Sequence, residues 1–276
     1  MTLQAPQVTL VTVCYEDMEN VKRTCQSIAS QHGELLAGYE HLLVDGASTD
    51  GTQEWYKSNH PLPASRIMSE PDDGIFDAMN KAIRHARGEY IVFINAGDTF
   101  SDGGVLQRVS AVLRDASPQW SYGRARIVNS IGAEVRNPVG SIPYSRVKHA
   151  LGLGTICHQT VFMKTKFIRE LGGFDTTYGY AADYHLLLRA AVVSPPHTRD
   201  DICVLYGVGG VSDTDVFRQL QRRHEARVSA YNLVGLSAWL DESWTRGQVG
   251  YIRMKKLAKR TLSKLGVRRF FGRIVS

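Results

Sequence analysis

SEPDDGIFDAMNKAIRHARGEYIVFINAGD, residues 69–98, is the stretch on which the fold turns. It opens as a charged turn containing Pro71 and Gly74. Asp77–Ala86 then carries apolar residues at helical spacing, with Gly88 placed to end the helix. YIVFIN (90–95) is an apolar run of the kind found in strands covered on both faces. The run gives way to Asn95-Ala96-Gly97-Asp98. A turn, a helix, a buried strand and a second polar turn make one unit of an alternating α/β fold.

The same alternation extends in both directions. Upstream, VTLVTVC (8–14) is β-branched and apolar, and residues 18–31 place Val21, Cys25, Ile28 and Ala29 on one helical face. HLLVDG (41–46) is a second strand, ending at Asp45, and Ser48–Thr52 supplies cap residues for a helix reaching about Ser58. Arg66–Ser69 is a short third strand. Downstream, 103–114 is amphipathic. Beyond about residue 118 the pattern loosens. Strands are expected at 120–123, 125–129, 157–163 and 201–212, and helices at 166–175, 182–192 and 215–235. The implied fold is a mostly parallel sheet with helices on both faces. In such sheets ligands bind beyond the carboxyl ends of the strands.

Those ends carry Tyr15, Glu16 and Asp17; Asp45; and Asn95 and Asp98. Acids gathered at one edge suit a divalent cation and hydrogen bonds from a base or ribose better than bare phosphate. Asp45 ends a buried strand and needs a partner there, a nucleotide base being one candidate. Asp73 lies in the charged turn, and Asn80 and Lys81 follow on the next helix, where a helix start and a lysine suit phosphate oxygens. The alternative for each is turn and cap chemistry. Asp98 is the expected metal position. Asp183 opens a helix, so an N-cap role competes with a chemical one. His158 and Gln159, beside a strand, are readable as satisfied polar residues or as site residues.

Bulk properties narrow the class. Apolar residues are 43% and charged residues 22% of 276, ordinary globular usage. No run approaches a membrane span, and the first residues have no basic n-region or small-residue cleavage site. The four cysteines are scattered, which argues against a zinc or redox motif. Net charge is +6, unevenly spread: ten of the 33 Lys+Arg fall from Arg246 onward with no acid, leaving 23 bases against all 27 acids in residues 1–245, a net of −4. In the tail Tyr251, Met254, Ala258, Leu262 and Leu265 form one helical stripe, with Arg253, Lys256, Lys259, Arg260 and Lys264 on the other side. Val267, Phe270, Phe271 and Ile274 repeat the apolar face beyond Gly266, beside Arg268, Arg269 and Arg273. Such a helix suits an anionic membrane surface, or packs on the body with its basic face solvated.

Taken in order, VTLVTVCYED, LLVDGASTDGT, the 69–98 block, CHQTVFMK, LGGFD, ADYHLLLR and GGVS resemble the family 2 glycosyltransferases of GT-A fold over about residues 7–215, and most resemble the bacterial colanic-acid type that builds exopolysaccharides. The resemblance implies a Rossmann-like GT-A domain over 1–215, with a nucleotide-binding half (about 1–118) and an acceptor-binding half (about 119–215), followed by a helical region (216–276) with a membrane-associating tail (about 246–276). It implies a nucleotide-sugar donor, UDP- or GDP-linked, and Mg²⁺ or Mn²⁺. Tyr15, Glu16, Asp45 and Asp73 fall to the base and ribose, Asp98 to the metal, Asp183 to the catalytic base of an inverting transfer, and His158 and Gln159 to the acceptor or diphosphate region. The acceptor implied is a glycan on a polyprenyl diphosphate, met at the cytoplasmic face of the cell membrane. Two departures stand out. Asn95 and Gly97 replace acids common in the metal motif, and His185 stands where many relatives carry an acid. The thinned motif keeps a catalytically silent nucleotide-sugar-binding scaffold in view. A nucleic-acid partner for the basic tail fits the acidic body poorly.

Overall fold

The computed structural model describes residues 6–32, 38–129, 133–207 and 216–264. The GGVS motif (209–212), the boundary at 215 and the tail beyond Lys264 lie outside the described residues. The central strand β1 (Val8–Cys14) is buried along its whole length. It pairs in parallel with β2 (Tyr39–Asp45) on one side and β4 (Tyr90–Phe93) on the other. β3 (Ser65–Ser69) extends the parallel set beyond β2. This half is the alternating unit read from the sequence, with α1 (Met18–Ala29), α2 (Thr52–Ser58) and α3 (Ile75–His85) between its strands.

The second half joins through β8 (Val161–Lys164), which runs antiparallel to β4. Beyond it stands β6 (Trp120–Val128), antiparallel to β8 and parallel to β9 (His197–Gly207). Two strands went unread in the sequence. β5 (Thr99–Phe100) leaves the Asn95–Asp98 turn and pairs with β9, and β7 (Glu134–Val139) forms a hairpin with β6. The two segments expected at 120–123 and 125–129 are one bulged strand. The segment 157–163 is instead a 3-10 turn, His158–Thr160, leading into β8.

Helices cover both faces. One core joins β1, β2, β4 and β8 to α3, α6 (Thr165–Glu170) and α7 (Ala182–Val193), through Met79, Ile83, Phe167 and Leu186. The other packs Val105, Leu106, Val109 and Leu113 of α4 (Val105–Ala116) on the opposite face. The short α5 (Arg146–Ala150) and α8 (Val216–Ala230) pack on α7, and α9 (Gly235–Lys264) packs on α8.

Glu40 accepts from Thr9 (2.6 Å), from the Arg87 backbone (2.7 Å) and from Arg66 (2.9 Å), tying three strands to the α3–β4 link. Gly88 does not cap α3. That helix ends at Ala86, and Gly88 is pressed against β1, where its N–H donates to Thr9 Oγ1 (2.8 Å). A Cβ at Gly88 would lie 2.4 Å from Thr9 N and 2.6 Å from Val8 C, both backbone atoms. Backbone at the core cannot give way cheaply. Gly88→Ala is therefore expected to cost about 1–3 kcal/mol, lowering the melting temperature by roughly 2–10 °C. Gly250→Ala, where a Cβ meets nothing within 4 Å, is the control and should not lower it. Differential scanning calorimetry compares the two.

Candidate active site

Strand register builds the first wall. Cys14, Asp45 and Ser69 are neighbours at the carboxyl ends of β1, β2 and β3. Asp45 is fully buried, and its carboxylate accepts from Ser48 Oγ (2.5 Å), Ser48 N (3.1 Å) and Ser69 Oγ (2.6 Å). The partner that desolvation demands is thus supplied by the chain itself. Above it the Tyr15 ring is 67% exposed, and the bare backbone of Gly46 lies between Tyr15 and Asp72. A Cβ at Gly46 would stand 2.8 Å from Asp72 Oδ2 and 3.1 Å from Tyr15 Cδ2. One aromatic and one acidic side chain thus close on the Gly46 backbone, and Asp73 next to them is exposed.

Three expected ligand-binding side chains are engaged elsewhere. Glu16 Oε1 accepts from Thr49 N (2.7 Å) and Thr49 Oγ1 (3.0 Å), so it locks the loops after β1 and β2 together. Asn80 was expected at the phosphate edge. Its amide instead clamps Phe174, donating to the carbonyl (2.8 Å) and accepting from the N–H (2.9 Å). Lys81 is buried, and its ammonium sits on the Pro71 carbonyl (2.6 Å), Glu70 (3.1 Å) and Asp77 (3.4 Å). It holds the 70–77 loop over α3.

The second wall is where the two halves meet. Gly97, in the left-handed region at φ 91°, turns the chain after β4. Thr24 of α1 pins that turn, accepting from Gly97 N (3.0 Å) and donating to the Asp98 carbonyl (2.8 Å). Because β8 is antiparallel to β4, its leading turn arrives at the same edge. Gln159 Nε2 donates to Asp98 Oδ2 (3.2 Å), and the His158 ring lies between Asn95 (3.5 Å) and Asp183 Oδ2 (3.5 Å). Asp183 is not an N-cap. That position is Ala181, and Asp183 Oδ1 accepts from Tyr184 N (2.6 Å). Beneath His158 and Asp183 is a small cavity with apolar walls from Phe93, Val161, Phe174 and Leu187.

The two acids differ in charge state. Burial pushes Asp98 up to about 6, against the pull of His158 and Gln159. Burial also opposes ionisation of Asp183, but His158, the Tyr184 N–H and Arg223 together hold it below the usual carboxylate range. Arg223, which the sequence reading missed, reaches this site from α8 with its guanidinium 5.5 Å from the Tyr184 ring. Ser48, Ser69 and Thr24 were missed as supports for the acids. His185 is buried in α7, 4.0 Å from the Tyr178 ring between centroids, and burial lowers it to about 4.

Among the described residues no three His, Cys, Asp or Glu side chains are grouped as a metal cage. The Asn95–Asp98 turn does fit a cation completed by a ligand's own oxygens. Asn95 Oδ1 is buried without a hydrogen-bond partner, and the side chain of Asp98 is buried beside a neutral amide. Both are hard oxygen donors.

The sequence model described as "Glycosyl transferase family 2" matches residues 9–172. A glycosyltransferase of Mycobacterium tuberculosis is 32% identical over 225 residues, covering 79% of this chain and 83% of the relative. Among solved structures, S. aureus TarS 1–349 in complex with UDP-GlcNAc superposes with a TM-score of 0.66 at 16% identity, covering 87% of this chain and 70% of that one. The mannosyltransferase PcManGT from Pyrobaculum calidifontis, in complex with GDP-Man and Mn²⁺, gives 0.64 at 18% identity, covering 96% and 82%. At these identities the structural likeness bears on the fold, which is GT-A.

The raised value of Asp98 has a consequence for stability. Unfolded, this carboxyl ionises near 3.8, and folded near 6. Between those values unfolding releases a proton, so stability falls as pH rises from about 4 to about 6 and then levels, a loss of roughly 2–3 kcal/mol. In chelator-containing buffer, the melting temperature of Asp98→Asn relative to the parent should climb across that window and stay flat above pH 7. A difference independent of pH would contradict the assignment.

Proposed function

This chain belongs to glycosyl transferase family 2, and from that premise we propose that it is an inverting, metal-dependent transferase moving a hexosyl or deoxyhexosyl group from a UDP- or GDP-sugar to a glycan hydroxyl. The observation that carries the reading is the convergence of Asn95, Asp98, His158, Gln159 and Asp183 at one sheet edge, the edge at which the exposed Tyr15 and the 70–74 loop also lie.

The base stacks on the exposed side of Tyr15 and donates hydrogen bonds toward Asp72 and the exposed Asp73. Asp45 is the floor: it holds the Ser48 and Ser69 hydroxyls beneath the base. The diphosphate lies toward Asp98, where Asp98 and Asn95 are the residues to hold Mg²⁺ or Mn²⁺. Such an ion supplies positive charge to the leaving diphosphate. Gln159 keeps the Asp98 carboxylate aimed at that position.

Asp183 takes the proton of the acceptor hydroxyl. It is ionised at neutral pH, as a base must be, and His158 orients its Oδ2. A single displacement on the face opposite the diphosphate inverts the anomeric carbon, with no covalent sugar on the enzyme. The apolar cavity under the pair limits water there, favouring transfer over hydrolysis. The donor reading draws support from the ligands of the two structural neighbours, UDP-GlcNAc in one and GDP-Man with Mn²⁺ in the other. The acceptor we propose is a glycan on a polyprenyl diphosphate in exopolysaccharide synthesis, met at the inner face of the membrane, with the basic tail from about residue 246 against anionic lipid.

Release of nucleoside diphosphate from a panel of UDP- and GDP-sugars, with Mn²⁺ or with chelator, tests the reading. Turnover by none of them alongside measurable nucleotide binding would favour a silent scaffold, the reading that the single acid of the Asn95–Asp98 turn keeps open. Asp183→Asn should lower transfer by about 10²-fold or more, with donor affinity by calorimetry within about twofold of the parent. Asp98→Ala should abolish the Mn²⁺-dependent part of nucleotide affinity. Unchanged affinity in Mn²⁺ would remove Asp98 from the metal.

A further inference from the structure

α9 has two opposed faces. Its inner face is fixed to the body by a buried network: Arg227 of α8 donates to both oxygens of Asp241 (2.7 and 3.0 Å) and to Thr245 Oγ1 (2.7 Å), and His224 lies 2.6 Å from Asp241. Trp244 Nε1 donates to the Leu151 carbonyl (3.1 Å), which anchors the helix to the acceptor half. The outer face holds Leu236, Trp239, Leu240, Tyr251 and Met254, all between 54 and 71% exposed. At 100° per residue these fall within one sector, and only Ser243, Gly247 and Gly250 fill it between Leu240 and Tyr251. No charge interrupts it. Arg246 and Arg253 border one side and Lys255 the other. The last acid of the helix, Glu242, is taken by Arg246 at 2.6 Å, and none follows to the end of the chain.

We propose that this outer face of α9, starting at Leu236 and thus ten residues before the basic tail, inserts into the interface of an anionic membrane. The inference rests on the membrane-side acceptor proposed above and adds to it a face and an orientation. Apolar side chains with aromatic members, bordered by cations and free of acids, match the acyl–headgroup boundary of an anionic leaflet. Among the described residues no helix is long and apolar enough to cross a membrane, so the helix lies in the surface plane. Rigid attachment through Asp241 and Trp244 then fixes the tilt of the acceptor half, including Asp183 on α7, against which α8 packs. A docked enzyme would present its acceptor side to a lipid-linked glycan in one orientation.

The test uses the full chain and phosphatidylcholine vesicles containing phosphatidylglycerol at roughly one lipid in three. Leu236→Gln, Leu240→Gln and Met254→Gln combined leave the charge unchanged and should weaken vesicle affinity by about tenfold or more, with circular dichroism and melting temperature as in the parent. Acyl-brominated lipid should quench tryptophan fluorescence, and Trp239→Phe should lower that quenching, since Trp120 is buried, Trp55 lies on α2, and Trp244, 37% exposed, is turned to the Leu151 carbonyl off the outer face. If the triple variant binds like the parent while Arg268→Gln, Arg269→Gln and Arg273→Gln combined does not bind, the insertion face is wrong and the tail contact stands. If the parent ignores the vesicles, both fall. A triple variant whose one change is the loss of a vesicle-independent dimer in sedimentation velocity would assign the face to a second copy of the chain and overturn the proposal.

Discussion

The site depends on one structural constraint: β8 enters the sheet antiparallel to β4. With Tyr90 opposite Lys164 and Ile91 opposite Met163, the start of β8 must lie at the end of β4. A parallel β8 would carry His158 and Gln159 to the opposite edge. As built, a turn closing the first half and a turn opening the second face each other, and Gln159 reaches Asp98 across 61 positions of sequence. The Asn80–Phe174 clamp secures the same seam from behind. Arg169 adds to it, donating to the Ile83 and Ala86 carbonyls at the end of α3. Several independent hydrogen bonds therefore hold the halves in one relation. Pre-organised charge needs that, because a side chain displaced by about an ångström loses most of its effect.

Within the seam, two carboxylates lie in environments of opposite sense. Asp98 is enclosed with a neutral amide as its side-chain donor, so its charge waits on a partner from outside. Asp183 is met by an imidazole, a backbone N–H and a guanidinium, so its charge is already compensated. In the transfer proposed above, these two environments correspond to the metal-holding group and the proton acceptor. His158 stands between their two turns, its ring nitrogens facing Asn95 on one side and Asp183 on the other.

The sheet was legible because its strands are continuous apolar runs bounded by polar turns, and β1, β2 and β4 fall within two residues of where the pattern puts them. The site's edge was legible for the same reason: strand ends are where the polar residues begin. Partnership was not. Asn80 and Lys81 lie on the first turns of a helix near the ligand edge, yet each turns to a backbone carbonyl that comes from a different segment. Glu16 was expected at the base and is held by Thr49. β5 is two residues long and carries no period, and Thr24 is one small polar side chain on an amphipathic helix. These roles depend on contacts between segments far apart in sequence, which periodicity does not report. The buried acids Glu40 and Asp45 show the limit from the other side. The burial of Asp45 follows from its place at a strand end, whereas Glu40 falls outside the expected strand, and whether the compensating donor comes from the chain or from a ligand is decided only by packing.

The charge asymmetry gains a structural meaning from α9. The acids of the body are largely committed: Glu40, Asp45, Asp50, Asp98 and Asp183 each hold a loop, a strand or a site position. Past Arg246 the helix sequence holds no acid, and its inner face is fixed by Asp241 with Arg227 and His224, by Thr245 with Arg227, and by the Trp244–Leu151 hydrogen bond. A cationic helix anchored along one side, with exposed apolar residues on the other, is poorly explained as a packing element alone, because packing would turn that apolar side inward. The exposed apolar face and the unbalanced charge are two aspects of one surface, and the anionic membrane interface proposed above would compensate both.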